Sequence, residues 1–158
     1  DSYIYVKYAA PKDMFYRIIV IDAGHGGKDS GATGNGYIEK NMTLKIVQNI
    51  KTNFDSDPLY KVYYTRLSDW YPTLTERYDL ANTVNADRFL SVHINSADSA
   101  SAKGTETSFM DCLPCAFPTR RSSDLMGFIS NSTESARIDA RSEAIGSALY
   151  QSLCNSFN

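Results

Sequence analysis

Apolar and polar positions along this chain switch repeatedly between a strand-like and a helix-like pattern. Arg17-Ile-Ile-Val-Ile-Asp22 is an apolar run of strand length, stopped by Ala-Gly-His-Gly-Gly. Leu44, Val47, Ile50 and Phe54 then recur at helical spacing, which predicts a helix over residues 39–54, ended by Asp55-Ser-Asp-Pro58. Residues 61–66 (KVYYTR) are β-branched and aromatic and predict a second strand. Thr73 and Glu76, just after Pro72, form a capping-box pattern that opens a helix carrying Leu74, Tyr78, Ala81 and Val84. Residues 88–94 (RFLSVHI) predict a third strand and residues 105–110 a shorter fourth. From about Thr133 a helix is predicted, with Ile138, Ile145, Leu149 and Leu153 on one stripe. There is no internal repeat.

Alternating strands and helices predict a single α/β domain with parallel neighbours and right-handed crossovers. In open α/β sheets, ligands sit beyond the carboxyl ends of the strands. The chain has two histidines. His25 falls just past the end of the first strand and His93 at the end of the third, so both are expected at that edge.

A length of 158 residues fits one domain of ordinary size, and such a domain buries roughly 70% of its unfolded surface. Sixteen basic residues against eighteen acidic ones leave a net charge of −2, without the basic footprint of a nucleic-acid partner. The 42% hydrophobic and 22% charged content is that of a folded protein. No apolar run approaches the ~20 residues of a membrane span. The first residue is Asp1, and no signal peptide lies in this window. Residues 1–16 are read as a fragment or linker from an upstream region, and 17–158 as the functional domain, interrupted by an anomalous segment at 111–125. Three cysteines are too sparse for a disulfide scaffold. Cys112 and Cys115 form a C-x-x-C without a second half and are read as incidental.

The run Asp22-Ala-Gly-His-Gly-Gly-Lys-Asp-Ser-Gly31 admits several readings. It is either a glycine-rich turn with an incidental histidine or a turn built to leave the imidazole accessible. A phosphate-cradling loop fails on spacing, because Lys28 is followed by Asp29 where Ser or Thr is needed. Glu39 opens a helix, where the dipole favours an acid in any case. Taken together, His25, Glu39 and His93 make a three-ligand set with a fourth position open, the ligand type of a catalytic zinc.

The run IVIDAGHGGKDSGATG, followed by IEKNMTLKI, TRLSDWYPTLTERYDLANTVNADRFLSVHINSA and GTET, resembles the zinc-dependent N-acetylmuramoyl-L-alanine amidases of bacterial cell-wall remodelling. GFISN at 127–131 resembles their C-terminal motif. The resemblance implies a twisted mixed, largely parallel sheet flanked by helices. It implies one zinc ion held by His25, Glu39 and His93. The implied reaction is hydrolysis, by a zinc-activated water, of the amide between the muramic acid lactyl group and L-alanine in peptidoglycan. The implied location is extracellular, in the cell wall or periplasm, and the implied neighbour of this domain is an upstream wall-binding or regulatory region. Arg66, Arg77, Asn82 and Asn95 also fall on family pattern positions. Arg77 and Asn82 are expected to be structural, and Asn95 to contact substrate.

One stretch departs from the family. Its members carry a catalytic Glu just before the Gly-Phe of the C-terminal motif, and here Leu125 holds that position. Asp124 is the nearest carboxylate but is one residue off, which on a strand belongs to the opposite face. The segment 111–125 is also shorter than its family counterpart, and Pro114 and Pro118 argue against a central strand. It is expected to be poorly ordered and exposed, with the strand before the motif missing, so that a Leu125→Glu change alone would restore little. Residues 117–125 (FPTRRSSDL) coincide with one reading frame of a widely used sequencing-adaptor oligonucleotide, so adaptor sequence is expected to have replaced a native segment; a natural deletion is the alternative. Three functions therefore stay open: an amidase, a zinc-containing wall-binding domain without activity, and an unrelated α/β binder without metal.

Overall fold

The computed structural model describes residues 8–97, 99, 101–104, 106–110, 120–128 and 132–157, with backbone alone for 106–110, 120–128 and residue 134. A short helix α1 (Pro11–Met14) leads into strand β1 (Arg17–Ala23). Lys12 Nζ reaches Asp87 at 2.6 Å and ties this helix to the domain. A two-residue hairpin, β2 (Thr33–Gly34) and β3 (Tyr37–Ile38), precedes helix α2 (Glu39–Phe54). Then come β4 (Tyr60–Tyr64), α3 (Leu74–Thr83), β5 (Arg88–Asn95), β6 (Glu106–Met110), β7 (Arg120–Phe128), α4 (Ser132–Ala140) and α5 (Ser142–Asn155).

Five strands form one sheet in the order β4-β1-β5-β7-β6. All neighbours are parallel except β6 with β7, so the sheet is mixed and largely parallel, as expected. β1 lies in its interior, which is why its apolar run is unbroken: six of its seven residues are buried, on both faces. Ile19, Ile21, Leu90, Val92 and Ile94 pack under α2, α4 and α5 with Met42, Ile46, Ile50, Ile138 and Leu153. Ile18, Val20 and Phe89 pack on the opposite face with Ala81 of α3. The capping box of α3 is present: Glu76 N–H donates to Thr73 Oγ1, and Thr73 N–H to Glu76 at 2.7 Å.

Three expectations need correction. The strand placed at 61–66 runs instead over Tyr60–Tyr64, and Thr65 and Arg66 follow its end with buried side chains. The C-terminal helix is two helices, broken at Arg141, although Ile138 and Leu153 of its stripe are both buried. The largest correction concerns 111–125. Its last six residues belong to β7, a central strand paired on both sides. Pro114 and Pro118 precede this strand and remove no donor from it. The expectation rested on apolar side-chain pattern, whereas the strand is held by backbone ladders to β5 and β6, whose facing edges would otherwise be unpaired. Residues 111–119, with the C-x-x-C, and 129–131 of GFISN lie outside the described residues.

Candidate metal centre

Each of the three expected ligands is positioned by a different element. β1 delivers the chain to Gly24 and His25. His25 adopts φ 60°, a left-handed conformation that costs a non-glycine residue free energy and recurs at functional sites. Helix α2 begins at Glu39 with no side-chain cap at Ile38. Its first N–H groups are satisfied by the preceding loop instead: Glu39 N–H donates to Ala32 C=O at 2.9 Å and Lys40 N–H to Ser30 C=O at 3.1 Å. His93 is on β5, next to a bulge: His93 pairs with Leu125 and Asn95 with Phe128, so β7 carries one extra residue between them.

The three side chains converge, with one candidate ligand atom from each all within 4.8 Å of one another. Glu39 is buried and bidentate in its contacts. Its Oε1 lies 3.0 Å from His93 Nδ1 and accepts from Ile94 N–H at 2.8 Å. Its Oε2 lies 3.1 Å from His25 Nε2 and accepts from Ala32 N–H at 2.8 Å. The two imidazoles meet edge to face with centroids 4.8 Å apart, and both are partly open to solvent. Burial works against the charge on Glu39, but the four hydrogen bonds outweigh it and hold its pKa at about 2. The bond to Glu39 raises the His25 pKa, burial opposes the rise, and Asp29 Oδ2, 2.9 Å from His25 Nδ1, adds to it.

Two glycines make room for this cluster. A β-carbon at Gly24 would lie 2.6 Å from His93 Nδ1, and one at Gly31 would lie 2.6 Å from Glu39 Oε2. Two buried arginines hold the loop from behind. Arg66 donates to the carbonyls of Ala23 (2.9 Å), Gly24 (2.8 Å) and Lys40 (2.8 Å). Arg77 donates to the carbonyls of Ala23 and His25, both at 2.9 Å, and to Asp22 Oδ1 at 2.5 Å. Asp22 is completed by the hydroxyls of Thr65 (2.5 Å) and Ser91 (2.6 Å). Arg77 is therefore structural, as expected. Asn82 has its Oδ1 buried without a hydrogen-bond partner among the described residues. Asn95 is half-buried at the end of β5, and its Oδ1 accepts from Ser96 N–H at 2.8 Å. Asp124 and Leu125 stand in β7, level with Val92 and His93.

Sequence reasoning missed Asp29, Asp22, Thr65 and Ser91 as supports of the centre. The first two lie within the glycine-rich run, and Asp29 is four residues from His25. A carboxylate behind one ring nitrogen fixes the ring and leaves the other nitrogen for a metal.

Two imidazoles and an ionised carboxylate, gathered where the strands end, suit a borderline divalent cation. Fold and site thus define an α/β domain with a three-ligand centre able to hold a metal ion. The family model described as N-acetylmuramoyl-L-alanine amidase matches residues 19–155. The endolysin of Bacillus phage SPP1 is 46% identical over 91 residues, 58% of this chain and 33% of that protein. The N-acetylmuramoyl-L-alanine amidase LytC of Bacillus subtilis is 43% identical over 89 residues, 56% of this chain and 18% of that protein. The matches thus span a third or less of these relatives' length. Among solved structures, the catalytic domain of CwlV, an amidase from Paenibacillus polymyxa, superposes with a TM-score of 0.74 at 25% identity, covering 86% of this chain and 98% of that one. The chain belongs to the N-acetylmuramoyl-L-alanine amidase family.

Proposed function

We propose that residues 17–158 are the catalytic domain of a zinc-dependent hydrolase that cleaves the amide between the lactyl group of N-acetylmuramic acid and L-alanine in peptidoglycan, acting outside the cytoplasm at the cell wall. The observation that carries this reading is the convergence of His25, Glu39 and His93 at the carboxyl edge of the sheet, in a chain of this family. These three residues would hold the ion. Bound there, zinc would acidify a water molecule and polarise the scissile carbonyl.

The chain's own residues prepare that site. Glu39 stays ionised through the physiological range, because its four hydrogen bonds outweigh its burial. Asp29 holds the His25 ring through Nδ1, and the Arg77 and Arg66 guanidiniums hold the loop that carries it. Asn95, two residues past His93, is proposed to contact substrate. Among the described residues no helix is long and apolar enough to cross a membrane.

A second reading is a zinc-containing wall-binding domain without activity. It is favoured by Leu125, which holds the position the family resemblance gives to the catalytic Glu. The test is release of free stem peptide from purified peptidoglycan, with bound zinc measured on the same preparation. Release that a chelator abolishes supports the hydrolase. Stoichiometric zinc with wall binding and no release supports the second reading, and absence of zinc refutes both.

A further inference from the structure

Between β4 and α3, Asp69 reaches across to both ligand-bearing segments. Its Oδ1 accepts from Gly27 N–H at 2.8 Å and its Oδ2 from Lys40 Nζ at 2.7 Å. Lys40 Nζ donates in turn to Gly27 C=O at 2.9 Å, closing a three-cornered knot. Gly27 is two residues past His25, and Lys40 directly follows Glu39. The knot therefore spans the interval between two of the three candidate ligands.

The loops it joins are pressed together backbone to backbone. A β-carbon at Gly27 would lie 2.9 Å from Tyr71 N, and one at Gly26 would fall on the Trp70 carbonyl. A shift of the Asp69 loop thus carries the His25 loop with it. The Asp69 side chain is 49% exposed and that of Lys40 16%. An ion pair open to solvent on one side adds little to global stability. What this one constrains is a spacing.

We propose that Asp69 is a positioning residue of the metal centre, setting the separation of His25 and Glu39 by bridging the Gly27 N–H and the Lys40 ammonium. The inference rests on reading His25, Glu39 and His93 as a zinc site. Groups hydrogen-bonded directly to metal ligands typically contribute ~10–100-fold to metal affinity. Asp69 and Lys40 hold the residues beside the ligands, which puts their effect at the lower end of that range. A bridge of this kind acts as a unit, so either end should suffice to break it.

The test uses the full chain with Asp69→Ala, Lys40→Met, the double variant and Asp69→Asn. Zinc affinity is measured by competition with a chromogenic chelator. The visible spectrum of the cobalt-substituted protein reports ligand geometry, and the Tm of the metal-free protein reports stability. Both single variants should lose ~10-fold in zinc affinity and alter the cobalt spectrum, with the metal-free Tm moved by only a few degrees. The double variant should lose no more than either single one. Asp69→Asn, which keeps an acceptor for Gly27 N–H, should fall between parent and Asp69→Ala. If Asp69→Ala fails to fold, Lys40→Met and Asp69→Asn interrogate the same bridge. Unchanged zinc affinity in the variants, additive losses, or losses that follow the metal-free Tm would overturn the proposal while leaving the zinc site standing. A parent chain that binds no zinc would overturn both.

Discussion

Leu125 stands level with His93 in the parallel pairing of β7 with β5. Neighbouring strands lie about 4.8 Å apart, so this position is one strand away from a candidate metal ligand. It is also the position that the family resemblance assigns to a catalytic Glu. Leucine neither takes nor gives a proton, and positioned acid–base assistance is worth typically ~10²–10⁴-fold. The expectation that Leu125→Glu alone restores little rested on a missing strand, and that strand occupies its slot between β5 and β6. Leu125→Glu should therefore raise stem-peptide release by ~10²–10⁴-fold at equal zinc loading. Asp124→Glu, level with Val92, should leave the rate unchanged. Equal rates for the parent and Leu125→Glu would place the proton shuttle elsewhere.

Resequencing the gene without the adaptor concerned is expected to return a different stretch at residues 117–125, with Glu before Met126. Recovery of the same nine residues would make the departure a natural one.

Arg77 and Asp22 form an ion pair in which both side chains are almost wholly buried. Removing one partner of a buried pair leaves an uncompensated charge, at a cost of ~3–5 kcal/mol. Arg77→Met should lower the unfolding free energy by about that amount in chemical denaturation. Adding Asp22→Asn should recover part of the loss, because the orphaned charge is then gone. A loss below ~1 kcal/mol for Arg77→Met would mean that the pair behaves like one at the surface.

What could be read in advance divides along physical lines. Helix α2 was legible to its ends, because its apolar stripe is regular and an acidic Asp-Pro stretch stops it. The α3 cap was legible because the capping box is local. The candidate ligands were legible because the chain has only two histidines and strand order put both at one edge. β7 was not, since its residues carry no apolar alternation and its place comes from pairing with neighbours distant in sequence. The Asn35-Gly36 hairpin turn has a recognisable signature, but strands of two residues are too short to show a period. The hold of Arg66 and Arg77 on the His25 loop spans some 40–50 residues of sequence, and no local pattern announces it.

Gly24 should tolerate no side chain. Its β-carbon would lie 2.6 Å from His93 Nδ1, so Gly24→Ala must displace the ring or the end of β1. Overpacking costs ~1–3 kcal/mol, and here the strain falls on a candidate ligand. Zinc affinity measured by chelator competition should drop about tenfold or more. Gly36→Ala is the control. It meets nothing within 4 Å but has φ 80°, so it should lower Tm slightly and leave zinc affinity alone. Equal affinities for parent and Gly24→Ala would show that the ring is free to move away without loss.

The pH dependence should take opposite signs with and without metal. In the metal-free protein the His25 pKa is raised above 6.5, first by Glu39 and with a further contribution from Asp29. Its contribution to stability is then full below 6.5 and is lost as pH rises through the folded value. Glu39 is depressed from 4.5 to about 2, so its contribution is full above 4.5 and is lost as pH falls toward 2. As far as these two groups decide, the metal-free fold is most stable between those limits. Zinc requires the neutral imidazole and must displace a proton that His25 holds more tightly than usual. The rise in Tm on adding zinc should therefore grow from about pH 6 to about pH 8, while the metal-free Tm loses the His25 contribution. Asp29→Asn removes one carboxylate from the ring, so the onset of zinc stabilisation should move to lower pH. Thermal denaturation with zinc and with chelator across this range checks both signs. A zinc-induced shift that is independent of pH would sink the assignment of His25 as a ligand titrating in this window.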